Sequence, residues 1–247
     1  MDEGIRGIRS VEDVLRLLDG LFDAAADRWT AGAGGQWWEE FYEDREKGIP
    51  FFVNRPDENL VEYVDRGLIP AESRVLELGC GPGRNATYLA GKGCQVDAVD
   101  LSPAAIAWAR ERAREAGVDV RFHRGDVFEL TRTELVGPYD FVYDSGCFHH
   151  LPPHRRVSYL ELLRRVLAPG GHFGLVCFAS GAMGSELADA AFYRDAGLHG
   201  GLAYSPEALR WIFAETATEV EIRRMRDEPE DSDRFGEDFL WAGLFRH

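Results

Sequence analysis

Apolar positions along the chain follow two periods, and the periods alternate. Val11, Val14, Leu15, Leu18, Leu21, Phe22 and Ala25 stand at helical spacing behind Ser10, a capping residue, and predict a first helix. It ends near a glycine-rich stretch over 31–35 that reads as a hinge. A further helix is expected from Asp57 or Asn59 to Arg66. From there short apolar runs take over, predicting strands over 75–78, 95–99, 118–122, 139–144 and 173–178. Helical stretches fall between them: one from Asn85, one opened by Ser102 and Pro103 and closed at Gly117, and one over 154–167. Ala168, Pro169, Gly170 and Gly171 stop the last of these. Strands alternating with helices imply a parallel α/β sheet whose ligand crevice lies at the carboxyl ends of the strands.

The alternation breaks over 180–203, a stretch rich in glycine and alanine. It reads either as an insertion covering substrate or as a surface excursion. Ser205 and Pro206 then open a helix to Glu215, followed by strands over 219–225 and 238–246. The acidic stretch between those strands, 227–237, reads as a solvated loop. No repeat or second domain is visible, so the 247 residues are expected to form one domain. Its parts would be a helical cap over 1–70, a core over 71–179, a candidate lid over 180–203 and a terminal helix with strands over 204–247.

Charge narrows the partners. The formal net charge is −15, which repels phosphate backbones and disfavours nucleic acid, leaving a small molecule as the expected substrate. Cys80, Cys94, Cys147 and Cys177 form no C-x-x-C pair, so reduced thiols are expected rather than disulfides or zinc. The first residues lack the basic and apolar regions of a leader, and no apolar run approaches the ~20 residues of a membrane helix. A cytoplasmic location and no membrane partner are the expectation. Oligomeric state is not legible.

The chemistry gathers around E-L-G-C-G-P-G-R, which begins at Glu77. Gly79, Gly81 and Gly83 make a turn without Cβ atoms between a strand and the helix that Asn85 starts. Such a turn lets a ligand lie against backbone, facing open helical N–H groups. Asp100 ends the next strand about 20 residues past the first glycine, where a carboxylate can accept both ribose hydroxyls. A dinucleotide fingerprint would place glycine where this chain has Arg84. These residues resemble motif I and its acidic partner in class I S-adenosylmethionine-dependent methyltransferases. That likeness spans roughly 74–178.

The resemblance implies a doubly wound, Rossmann-like sheet of seven strands, mostly parallel with an antiparallel last strand and helices on both faces. It implies S-adenosyl-L-methionine as cofactor and S-adenosyl-L-homocysteine as product. Gly79, Cys80, Gly81, Gly83 and Asn85 would take the methionine portion, and Asp100 with Leu101 the ribose. Asp126 with Val127 would take the adenine, although an aspartate here is also a turn former. Glu77 would orient the glycine turn, by water to the ligand amine or by a structural hydrogen bond.

The acceptor is less legible. The segment from Asp144 lacks both the D/N-P-P-Y/F motif of base-modifying enzymes and the Pro-Cys nucleophile of cytosine enzymes. Asp144, also expected against the cofactor, and the Ser145-Gly146 that follow resemble the corresponding step in thiopurine, thiol and halide methyltransferases, a small-molecule branch. A sulfur acceptor is the leaning, with oxygen and nitrogen as alternatives. Cys147 reads as a nucleophile or a small cavity-lining residue. His149 and His150 read as general-base candidates or as packing and capping groups; with His154 they do not make a metal site. Trp37, Trp38, Phe41, Tyr42, Phe51 and Phe52 read either as core aromatics or as a lid over ligand. Readings of other kinds are a non-catalytic module that senses the cofactor and a nucleotide-dependent dehydrogenase.

Overall fold

The computed structural model describes residues 7–23 and 33–247. The reading of the first residues as leaderless, the place of Ala25 in the first helix and the first two residues of the expected hinge fall outside them.

The chain runs α1 (Val11–Asp23), α2 (Ala33–Glu43), a 3-10 turn (Pro50–Phe52) and α3 (Glu58–Asp65), then enters the sheet. Strands β1 (Arg74–Leu78), β2 (Gln95–Asp100), β3 (Arg121–Arg124), β4 (Tyr139–Ser145) and β5 (Leu167–Phe178) alternate with helices. The helices are α4 (Arg84–Gly91), α5 (Pro103–Ala116), α6 (Val127–Thr133) and α7 (Arg155–Val166). A second 3-10 turn, Phe148–His150, precedes α7, and α8 (Asp189–Asp195), α9 (Pro206–Phe213), β6 (Thr218–Arg224) and β7 (Leu240–Arg246) complete the order. Among the described residues these strands form one sheet in the order β3-β2-β1-β4-β5-β7-β6. β7 alone runs antiparallel to its neighbours, inserted between β5 and β6.

The side-chain alternation of the strands builds two cores. Leu76, Leu78, Val142, Phe173, Leu175 and Phe245 face α6, α7 and α9, through residues such as Phe128, Leu162, Leu163, Leu209 and Phe213. Their neighbours Val75, Val96, Ala98, Phe141, Tyr143, Val176 and Leu244 face α3, α4 and α5, meeting Leu60, Tyr63, Leu89 and Ile106. Helices therefore cover both faces, and the carboxyl ends of β1, β2 and β4 open onto one crevice.

Several local signals act as read. Ser102 caps α5 by accepting from Ala105 N at 3.1 Å, and Ser205 caps α9 by accepting from Ala208 N at 3.2 Å. Others are corrected. Ala33, Gly34 and Gly35 open α2 rather than forming a hinge. β3 begins at Arg121, because Gly117 in the left-handed conformation ends α5 and Val118 N still bonds back to Ala113 O. Residues 127–133, which carry no strong period, form α6, capped by Asp126 accepting from Phe128 N at 2.8 Å. Pairing of β5 starts at Leu167, so the Pro-Gly-Gly stretch lies inside the strand at a register shift. The acidic loop is more than solvated: Phe235 is buried and pairs its backbone with Asp57. Arg55 donates to the carbonyls of Pro229, Glu230 and Ser232 in the same loop.

Candidate active site

Where β1, β2 and β4 end, the chain encloses a cavity of about 470 Å³. One part of its wall is the glycine turn and the acidic residues around it: Glu77, Gly79, Gly81, Asp100 and Asp126. Gly79, Gly81 and Gly83 have φ of +64°, +50° and +73°, the left-handed region that a side chain would strain. A Cβ on Gly81 would approach the Tyr42 hydroxyl to 2.9 Å, so this glycine also lets α2 close down on the turn.

Asp100 fastens that turn to β2. Its carboxylate accepts from Gly81 N and Ser102 N, each at 2.8 Å. Burial nevertheless pushes its pKa up to about 6, against the lowering effect of those bonds. Burial also raises Glu77, to about 8, partly opposed by the nearby Arg84 guanidinium. Oε2 of Glu77 is buried in the wall with no hydrogen-bond partner among the described residues. A buried acceptor of this kind is costly unless a donor arrives, and an ammonium group of a ligand fits it. Asp126 is raised by burial as well, and Phe128 N is the one backbone donor on it.

Behind the turn lies a polar network that sequence reasoning missed. Asp57 accepts from Asn85 Nδ2 at 2.9 Å and Tyr143 hydroxyl at 2.7 Å, and pairs with Arg84 at 2.5 Å. Its backbone N–H returns to Asn85 Oδ1 at 2.9 Å. Arg84 also donates to Ser145 Oγ at 3.2 Å and lies over the Phe235 ring. The start of α4, the start of α3 and the end of β4 are thereby locked around the cavity.

Much of the remaining wall is aromatic. Trp37, Trp38, Phe41 and Tyr42 come from α2 and Phe51 from the turn after it. His149 and His150 come from the turn after β4, and Phe178 is the last residue of β5. Part of the aromatic segment is core, since Tyr42 and Phe52 pack with Ala105 and Trp108 of α5. The His149 ring stacks on Phe178 at 3.7 Å, and Trp38 meets His150 edge-on at 5.2 Å. Cys147 lines the cavity too, its Cβ against Gly79, with its thiol pKa raised by burial. A raised thiol is a poor nucleophile, which favours the lining role.

Of the residues expected at the site, Cys80, Asn85, Leu101 and Val127 also lie in this wall, while Gly83, Asp144 and Phe52 do not. Gly83 serves packing: a Cβ there would strike Ala109 of α5 at 2.8 Å. Asp144 is fully buried and accepts from Cys147 N at 2.8 Å, Phe148 N and the Tyr159 hydroxyl at 2.7 Å, bracing the turn that carries the histidines. Phe52 is turned into the α5 interface. Unexpected wall residues include Ile49, Arg84, Met183, Phe235 and Phe239. Ile49 beside Pro50 had an aromatic neighbourhood to signal it; the acidic loop hid Phe235. Among the described residues no group of three metal-ligating side chains gathers.

Residues 75–171 match a family model described as a methyltransferase domain. A 2-heptyl-1-hydroxyquinolin-4(1H)-one methyltransferase from Mycobacteroides abscessus is 28% identical, over 56% of this chain and 60% of that protein. A ubiquinone biosynthesis O-methyltransferase from Xanthomonas axonopodis pv. citri is 33% identical, over 51% of this chain and 54% of that protein. The chain thus spans little more than half the length of these relatives. A solved structure described by the conversion of a disulfide bond into a thioacetal group during echinomycin biosynthesis is 28% identical. It covers 86% of this chain and 92% of its own, with a TM-score of 0.65. The N-methyltransferase NodS from Bradyrhizobium japonicum, 19% identical with a TM-score of 0.58, shares the fold. With the matched domain, the strand order and the glycine turn in agreement, residues 75–171 form a methyltransferase domain similar to those of the class I S-adenosylmethionine-dependent methyltransferases.

Proposed function

We propose that the chain transfers a methyl group from S-adenosylmethionine to a small-molecule acceptor by direct in-line displacement. The observation that carries this is a cavity whose wall joins the glycine turn and its carboxylates to an aromatic surface. Bound there, S-adenosylmethionine supplies an electrophilic methyl group on a sulfonium. Gly79 and Gly81 hold the methionine portion against backbone, and Glu77 accepts from its amine. Asp100 takes the ribose hydroxyls, and Asp126 with the Val127 backbone takes the adenine. The aromatic residues of α2 exclude water and align the acceptor, which is most of what an in-line transfer demands. The segments 37–52 and 180–203 are read as cover over one domain. The cysteines are not disulfide-bonded, which supports a reducing, cytoplasmic setting, and no helix among the described residues is long and apolar enough to cross a membrane.

A sulfur acceptor is the finer reading. A thiol is partly ionised near neutral pH without help, whereas an alcohol needs a base. The thioacetal formation associated with the similar solved structure supports it; the ubiquinone relative is named as an O-methyltransferase and favours oxygen. His149 or His150 is the base an oxygen or nitrogen acceptor would call on.

Calorimetry with S-adenosylhomocysteine, NAD and NADP tests the cofactor: binding of the first alone is expected, and preference for a dinucleotide overturns the reading. Turnover of matched thiol, phenol and amine series tests the acceptor and separates an enzyme from a silent binding module. Faster phenol or amine turnover that is lost in His149→Ala or His150→Ala replaces sulfur by an assisted transfer.

A further inference from the structure

The aromatic wall is continuous. Trp38 of α2 meets His150 at 5.2 Å, His150 meets His149 at 4.3 Å, and His149 stacks on Phe178 at 3.7 Å and 19°. These rings come from three separate places in the chain, yet all line the cavity. The far end of the row is set by the insertion that follows β5. Residues Ala179 and Tyr204 bridge, as do Ser185 and Leu202, so this segment is pinned to itself. Leu202 N donates to the His149 carbonyl at 2.7 Å, which ties the insertion to the histidine turn. Two glycines hold Phe178: a Cβ on Gly184 would come to 3.0 Å from its ring, and one on Gly201 to 2.9 Å. Both have positive φ, +90° and +135°. Met183, beside Gly184 in the chain, also lines the cavity.

We propose that the 180–203 insertion selects the acceptor, holding His149 and Phe178 as one end of a row of rings that receives a flat, uncharged aromatic molecule. The proposal rests on the methyltransferase reading and adds the substrate class. Aromatic side chains reward a flat ring with offset-stacked and edge-to-face contacts beyond simple area burial. Charge points the same way. The carboxylates of the wall are Glu77, Asp100 and Asp126, gathered around the glycine turn. Arg84 is the one lysine or arginine among the described wall residues, and Asp57 already neutralises it. A charged acceptor would shed its hydration with no countercharge along the ring row.

The test is equilibrium binding to the S-adenosylhomocysteine complex of 2-naphthol, its saturated counterpart decahydro-2-naphthol, and 2-naphthyltrimethylammonium. The aromatic alcohol is expected to bind about tenfold tighter than the saturated one, and tighter than the cation. Equal binding of the two alcohols, a preference for the cation, or no binding of any naphthyl probe overturns the substrate class. For the insertion, Gly201→Ala and Phe178→Leu should each weaken 2-naphthol about tenfold while S-adenosylhomocysteine affinity moves less than about twofold. Equal loss of both ligands, or of neither, overturns the role of the insertion, and Gly184→Ala supplies the same comparison should one variant fail to fold. Failure of wild type to bind S-adenosylhomocysteine would strike the methyltransferase reading itself.

Discussion

Asp100 is a buried carboxylate with two backbone donors already in place, so the turn it faces is preorganised before any ligand arrives. Ribose hydroxyls donate best to the charged form, and burial has moved its pKa to about 6. Affinity for S-adenosylhomocysteine should therefore fall as pH drops below about 6. Asp100→Asn should cost on the order of 1.5–3 kcal/mol of that affinity and flatten the pH profile; a titration series across pH checks both. Glu77 gives a different pH signature. Its pKa rises from an ordinary 4.5 to about 8, so between those values the native state keeps a proton that the unfolded chain gives up. Stability of the ligand-free protein contributed by this group is full below about 4.5 and declines as pH rises toward 8. Thermal melts of Glu77→Gln should lack that decline. Asp144→Ala, in contrast, should lower stability by about 3 kcal/mol, since it orphans two backbone N–H groups and the Tyr159 hydroxyl.

At the scale of elements, α2 decides how the cavity is closed. Glu39 accepts from Ser102 Oγ at 3.1 Å and Ala104 N at 3.0 Å, so α2 sits on the first turn of α5 and adds a negative charge where the helix dipole favours one. Hydrogen exchange over 37–52 should slow when S-adenosylhomocysteine binds; equal exchange with and without it would make this segment plain core. The caps of α5 and α9 were legible because a serine followed by proline states its function locally. So was the glycine turn with Asp100, whose spacing is imposed by the strand-turn-helix geometry it serves. The Asp57–Asn85–Arg84–Tyr143 network was not, since its members lie up to 86 positions apart and none is unusual where it stands. Asp144 misleads for a related reason: its place at a strand end invites a ligand role, and only the fold shows three protein donors already on it. The α6 helix escapes notice because an aspartate before a short unpatterned stretch signals a turn as readily as a cap.

Across the whole molecule, the order of the sheet says something about assembly. β7 occupies an interior place, paired with β5 on one side and β6 on the other, and it buries Leu244 and Phe245. It is also made late, after every other strand. Until residues 240–246 are available, β6 has no hydrogen-bonded neighbour and β5 presents an open edge. A chain interrupted on the ribosome or clipped just before Leu240 would hold the complete glycine turn, Asp100 and Asp126, and still expose an unpaired apolar strand. Such a fragment is a candidate for intermolecular strand addition rather than for residual activity. Synthesis of this sheet thus has a vulnerable interval between β5 and β7, and anything that slows translation there should show first as aggregation.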